Sequence, residues 1–268
     1  MYVCSVKSTI MSSILFEIKN NTAFITLNRA DKFNSFNREM AFLLQAKLDE
    51  AASLHEVRCV YITGAGKAFS AGQDLGELVG ENPVGIDKIL SEHYNPIVTR
   101  IRNLPKPVIA AVNGVAAGAG ANIALCCDVV VAAQSASFLQ AFSKIGLIPD
   151  SSGTYFLPRL IGWQKASALM MLGDKVPAIE AERMGMVYKI FPDEIFADES
   201  MAIANTLAQM PTKGLAFTKH ALNYSMTNSL EAQLLTEDEL QRKAASTYDY
   251  NEGVQAFLEK RKAIFKGE

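Results

Sequence analysis

Two short runs in which apolar and polar side chains alternate, ILFEIKN (14–20) and TAFITLN (22–28), meet at the turn-forming pair Asn20-Asn21 and predict a β-hairpin. Residues 37–53 place apolar side chains at helical spacing, with Asn37 as a plausible N-cap, and the strand RCVYITG (58–64) follows directly. This strand–helix–strand order implies a right-handed crossover and a parallel region of sheet. AGKAFSAGQDL reads as a loop of small residues, and residues 76–104 as a loop followed by the helical run HYNPIVTRIRNL. Pro105 and Pro107 then lead into the strand PVIAAVN, a Gly-rich turn, a helix, and the strand VVVAA (129–133). A short strand near Ser137–Leu139, the loop GLIPDSSGT and a helix from about Thr154 repeat the pattern more compactly. The last hundred residues read as nearly all helical, broken at Gly162, Gly173, Gly185, Pro192 and Pro211. The expected organisation is an N-terminal extension (1–13), an α/β core (14–200) and a helical C-terminal region (201–268).

Composition narrows the class without naming a function. The chain has 268 residues, 49% hydrophobic and 20% charged, which suits a globular enzyme with a sizeable core. Its net charge of -2 provides no basic face for nucleic acid or an anionic membrane. The apolar tracts 107–118 and 123–133 are interrupted by Asn113, Gly114, Gly118, Gly120 and Asn122, so the combined stretch reads as buried strand, turn, helix and strand rather than a membrane span. Residues 1–13 lack the basic start and continuous apolar run of a secretory signal, and a cytoplasmic protein is expected. Cys4, Cys59, Cys126 and Cys127 fit neither a disulfide framework nor a zinc site, and three scattered histidines add no metal-ligand spacing.

The chemistry is then sought in the turns. Gly118-x-Gly120 follows a strand and opens a helix, but Ile123 occupies the third position of a dinucleotide fingerprint and no acidic residue ends a strand about twenty residues later. No P-loop lysine follows. Free backbone N–H groups at such a turn suit a developing negative charge, and the loop Ser70-Ala71-Gly72-Gln73-Asp74 offers a second source of donors for an oxyanion hole. No Ser–His–Asp or Cys–His set assembles, which leaves a carboxylate. Asp150 sits behind Pro149 among Phe142, Leu147, Ile148 and Tyr155, where partial desolvation would raise its pKa toward a useful range. The local alternative, that Asp150 caps the following helix, stays open at this point.

Five segments in order, LNRADKFNSF (27–36), KAFSAGQDL (67–75), KPVIAAVNGVAAGAGANIALCCD (106–128), FSKIGLIPDSSGTYFLPRLIG (142–162) and NEGVQAFLEKRKAIFKG (251–267), resemble the enoyl-CoA hydratase/isomerase, or crotonase, superfamily. The resemblance implies an α/β crotonase (ClpP/crotonase-like) fold of repeated ββα units with a helical C-terminal trimerisation region, assembled as a homotrimer or a hexamer of two trimers. It implies oxyanion donors at the backbone N–H groups of Gln73 and Ala119. Lys32, Phe33, Ala68, Ala71, Asp74 and Leu75 match positions along the coenzyme A path, and Phe257 and Lys260 match C-terminal positions that reach the nucleotide, including that of a neighbouring subunit. Coenzyme A is part of the substrate, so no separate cofactor or metal is implied.

The departures from the family pattern bear on the reaction. Hydratases of the superfamily place two glutamates around a water, and the corresponding positions here hold Asn122 and Phe142. A single acid at Asp150 is similar to the isomerases. The segments are most similar to the branch that rearranges epoxyphenylacetyl-CoA, a ring-epoxide thioester, to its oxepin form in phenylacetate catabolism. Alternatives are a fatty Δ3,Δ2-enoyl-CoA isomerase, an enoyl-CoA hydratase, an aryl-CoA dehalogenase and a non-catalytic CoA-binding scaffold. Ser152 stands where many relatives have glycine.

Overall fold

A computed structural model describes residues 12–79 and 83–268, so nearly all of the expected extension lies outside the described residues. The hairpin forms as β1 (Ile14–Lys19) and β2 (Thr22–Leu27), and Asn20 and Asn21 adopt φ of 51° and 60°, the left-handed pair that a two-residue hairpin turn demands. α1 (Arg38–Ser53) begins at Asn37, whose side chain accepts from the Met40 N–H, and buries Met40, Leu44 and Leu48 on one face. β3 (Cys59–Gly64) returns parallel to β2, as a crossover through a helix requires.

After β3 the chain leaves the first sheet and builds a second. β4 (Ala68–Ser70) is a three-residue strand within the stretch expected to be loop. A helical passage follows, composed of α2 (Ile86–Lys88), a π-helical stretch (Ile89–Tyr94) and α3 (Asn95–Asn103). Next come β5 (Val108–Val112), β6 (Val115–Ala117) and α4 (Ala119–Leu125), then β7 (Val129–Ala133), β8 (Ser137–Leu139) and α5 (Gly153–Ile161). These are the ββα units implied by the resemblance: the first strand of each pair joins one sheet and the second joins the other. α6 (Trp163–Leu172), β9 (Lys175–Pro177), α7 (Ala178–Arg183) and β10 (Lys189–Phe191) complete the core. The strands β9 and β10 correct the nearly all-helical expectation for this stretch, since three residues are too few to show a period of two.

The six-stranded sheet runs β1-β2-β3-β5-β7-β10 and the four-stranded sheet β4-β6-β8-β9. Within the larger sheet only β1 is antiparallel to its neighbour, and β5, covered on both faces, is buried at every residue. The vicinal Cys126 and Cys127 lie in this core.

Four helices follow, α8 (Phe196–Gln209), α9 (Thr212–Ser225), α10 (Leu230–Ala245) and α11 (Tyr248–Leu258). α9 is fastened to the core by Lys219, only 6% exposed, which contacts Asp128 Oδ2 at 2.7 Å and donates to the Ile101 carbonyl at 2.6 Å. Arg58 secures the tail by donating to the Met210 and Phe265 carbonyls and to Thr212 Oγ1. Much of the apolar surface of these helices faces outward, including Leu222, Leu234, Leu235, Phe257 and Leu258. No helix of the described residues is long and apolar enough to cross a membrane.

Candidate active site

The small residues around Gly72 and Gly118 have a geometric purpose. Gly72 (φ +88°) lies so close to the turn before α4 that a Cβ there would sit 2.8 Å from the Ala117 carbonyl oxygen and 3.3 Å from the Ala119 nitrogen. Gly118, at φ +53°, turns the chain so that Ala119 begins the helix. The two loops are therefore in backbone contact. Phe36 forms a parallel bridge with Gln73: its N–H donates to the Gly72 carbonyl at 2.7 Å, and its carbonyl accepts from the Asp74 N–H at 2.8 Å. Both bonds use the residues flanking Gln73, which leaves the Gln73 N–H with no acceptor among the described residues. Ala119, as first residue of α4, likewise has no carbonyl four residues earlier in its helix.

Asp150 faces the same place. It is half-buried, and burial pushes its carboxyl above the usual carboxylate range against the opposing hydrogen bond that Oδ1 accepts from Ser151 Oγ at 2.8 Å. It is not the cap of the next helix. That place belongs to Ser152, in a left-handed conformation and without a side-chain capping bond, while the Asp150 carbonyl accepts from the Gly153 N–H. The Asp150 backbone is also held by Asn122, whose Nδ2 donates to the Asp150 carbonyl at 2.8 Å and whose Oδ1 accepts from Gln140 Nε2 at 2.8 Å. The position where hydratases are expected to carry a glutamate thus holds a buried amide with both ends engaged.

Gln73, Ala119 and Asp150 line one cavity of about 210 Å³ together with Leu75, Leu78, Ile89, Phe142 and Leu147. Asp150 is the only carboxylate among the described residues lining it; Lys144 and Tyr94 are the other titratable groups there. A concavity of about 910 Å³ exists elsewhere, between α9 and α10, but it is an open apolar groove, and the convergence of polar groups identifies the site better than volume does. Tyr94 was not anticipated from the sequence. It lies on the π-helical stretch, buried, and its hydroxyl donates to Gln73 Oε1 at 2.8 Å. Burial, with the Asp150 charge adding to it, raises its hydroxyl well above the ordinary value and keeps it protonated. A π-helical segment departs from the 3.6-residue period, so no apolar pattern announces which side chain it turns inward.

The remaining expected residues fall in and beside the cavity, with the exception of two. Ala71 and Leu75 line the cavity itself. Lys32 and Phe33 occupy a tight turn beside it, where the Phe33 carbonyl accepts from the Ala71 N–H at 2.9 Å. Ala68 is buried in β4, with its carbonyl accepting from Asn34 Nδ2 at 2.7 Å. Asp74 pairs with Arg29 at 2.9 Å and accepts from the Gly76 N–H; burial would raise its carboxyl, but these partners outweigh that and hold it below its usual value. Phe257 and Lys260 are not brought to the cavity within one chain. Phe257 is 83% exposed and lines a separate groove with Tyr250 and Phe265, and Lys260 follows α11 with a positive φ.

The profile of the enoyl-CoA hydratase/isomerase family matches residues 17–268. A 1,2-epoxyphenylacetyl-CoA isomerase of Escherichia coli (strain K12) is 45% identical over 96% of this chain and 100% of its own. A Rhodobacter capsulatus protein named "Probable enoyl-CoA hydratase" is 44% identical over 95% of this chain and 98% of its own. Among solved structures, an enoyl-CoA hydratase from Bacillus anthracis superposes with a TM-score of 0.89 at 33% identity, covering 96% of this chain and 100% of that one. With its fold, its paired amide loops and this similarity along nearly the whole length, the chain belongs to the enoyl-CoA hydratase/isomerase (crotonase) family.

Proposed function

We propose that the protein is an isomerase of coenzyme A thioesters in which Asp150 is acid and base and the N–H groups of Gln73 and Ala119 hold the thioester oxygen. The observation that carries this reading is the single carboxylate among the described residues of the cavity lining, with Asn122 engaged at both ends in place of a second acid. One carboxylate suffices to take a proton from the carbon beside the thioester and return it elsewhere, whereas activating a water calls for a second polar partner that Asn122 and Phe142 do not supply. The negative charge that moves to the thioester oxygen during transfer meets two fixed donors; losing one such donor typically costs about 10²–10³-fold in kcat. Burial suits Asp150 to the task, because a raised pKa makes its carboxylate a stronger base toward the carbon beside the thioester while leaving it able to give the proton back.

The substrate proposed is epoxyphenylacetyl-CoA, rearranged to its oxepin form, supported by the 45% identical relative of that name and by the mostly apolar cavity. Substrate and product have the same atoms, so the reaction as proposed draws on no cofactor, and coenzyme A enters as part of the substrate. The C-terminal helices expose apolar side chains that suit a homotrimer or a dimer of trimers, in which Phe257 and Lys260 reach the nucleotide bound by a neighbouring subunit. A cytoplasmic location accords with this chemistry.

Hydration is the second reading, favoured by the name of the 44% identical relative. Purified protein given epoxyphenylacetyl-CoA, a 3-enoyl-CoA and a 2-enoyl-CoA separates the two. Isomerised products of unchanged mass, lost in Asp150→Asn, are expected; efficient addition of water to the 2-enoyl thioester would overturn the isomerase reading.

A further inference from the structure

The side chain of Gln73 is held at both ends, although its proposed work is done by its backbone. Its Oε1 accepts from the Tyr94 hydroxyl at 2.8 Å, and its Nε2 donates to Glu77 Oε2 at 3.0 Å and to the Asp74 carbonyl at 3.2 Å. Glu77 is fixed in turn, because its Oε1 accepts from the Arg38 N–H in the first turn of α1 at 2.8 Å. The series joins α1, the amide loop and the π-helical stretch. Tyr94 is 1% exposed, and its ring packs edge-on against Phe36 at 6.0 Å, the residue whose backbone brackets Gln73. The same aromatic pair therefore constrains both the backbone and the side chain of Gln73.

Resting on the isomerase reading above, we propose that Tyr94 is a positioning residue: acting through the Gln73 side chain, its hydroxyl keeps the Gln73 N–H aimed at the thioester oxygen. The need is physical. A hydrogen bond weakens steeply with misalignment, and a donor fixed before the substrate arrives requires no reorganisation during the reaction. Glu77 anchors the far end of the same side chain, so rotation of Gln73 would break both bonds together.

Tyr94→Phe removes the hydroxyl alone. Loss of one hydrogen bond of ordinary net strength predicts a fall of about tenfold in kcat for a 3-enoyl-CoA, with KM changed by less than about twofold. The acid limb of the pH profile stays in place, because Asp150 is untouched. The carbonyl stretch of a bound ¹³C=O-labelled 2-enoyl-CoA shifts back toward its solution frequency in Tyr94→Phe but not in Asp150→Asn. In a Gln73→Leu background, Tyr94→Phe produces no further loss.

Wild-type kcat and carbonyl frequency in Tyr94→Phe, with Asp150→Asn inactive, would overturn the positioning role and leave the proposed reaction standing. A Tyr94→Phe loss that persists undiminished in the Gln73→Leu background would also overturn it, since the hydroxyl would then act without Gln73. Retained turnover in Asp150→Asn would instead remove the isomerase reading itself. If Tyr94→Phe fails to fold, Gln73→Leu is read by the same spectrum, and an unchanged frequency there refutes the proposal.

Discussion

Replacing Gly72 by alanine places a methyl group between the two loops that supply the amides. The new Cβ would lie 2.8 Å from the Ala117 carbonyl oxygen and 3.3 Å from the Ala119 nitrogen, against an ordinary contact of at least 3.4 Å, so the loops must separate by about 0.6 Å at the tighter point. The Gly72 peptide has little room to yield, because its carbonyl accepts from Phe36 at 2.7 Å and its N–H donates to Ser70 Oγ at 3.2 Å. A thioester oxygen held at about 2.9 Å by both amides would then be held by one, the other lying near 3.5 Å, where a hydrogen bond contributes little. The expected result is a fall of about 10²–10³-fold in kcat with a modest change in KM, since the charge on that oxygen develops mainly in the transition state. The φ of +88° adds about 1–2 kcal/mol of backbone strain, which lowers the melting temperature without unfolding a core of this size. Steady-state kinetics on a 3-enoyl-CoA, with a thermal melt as the control for folding, decides the matter. A folded Gly72→Ala protein with kcat within about threefold of wild type would refute the shared-oxygen geometry.

Three other expectations test separate links. Because burial raises Asp150 in the folded state, that state binds the extra proton between the unfolded and folded values, and stability falls as pH rises through that window. Asp150→Asn should therefore lose turnover yet melt higher than wild type at neutral pH, with the gain disappearing in acid; kcat/KM of the wild type should fall as pH drops through the same raised value, and an acid limb at an ordinary aspartate pKa would count against the desolvated site. Asn122→Asp replaces the donor to the Asp150 carbonyl with an acceptor, an unmatched buried contact of about 1–3 kcal/mol, so kcat should drop about tenfold with no hydratase activity gained, as product analysis by mass would show. Asp128→Ala leaves the buried Lys219 ammonium without its carboxylate and should cost about 3 kcal/mol in urea unfolding; a loss below about 1 kcal/mol would mean that the pair does not hold α9 to the core.

The parts of the fold that could be read from the chain are those with enough residues to show a period. The hairpin around Asn20-Asn21, α1 behind Asn37 and the strands β3, β5 and β7 stand within a residue or two of their expected places. The second sheet was largely illegible: β4, β6 and β9 have three residues each, and their pairing exists only once the first sheet has brought them side by side. At the site, the small residues of the two loops marked close backbone approach, and Asp150 stood out by its apolar neighbours. Asn122 showed only that a hydratase glutamate was missing, with no sign that its amide would clamp the Asp150 backbone. Tyr94 gave no signal, being one aromatic in a helical run.

The order of residues alone dictates which backbone positions can turn, which strands must be buried and which carboxyl lies in apolar company, because these depend on side-chain volume, φ preference and local hydropathy. Folding in three dimensions chooses which N–H groups stay unspent, how far Asp150 is desolvated, and that Tyr94 reaches Gln73. Those outcomes depend on contacts between segments tens of residues apart, and neither local pattern nor composition encodes such distances.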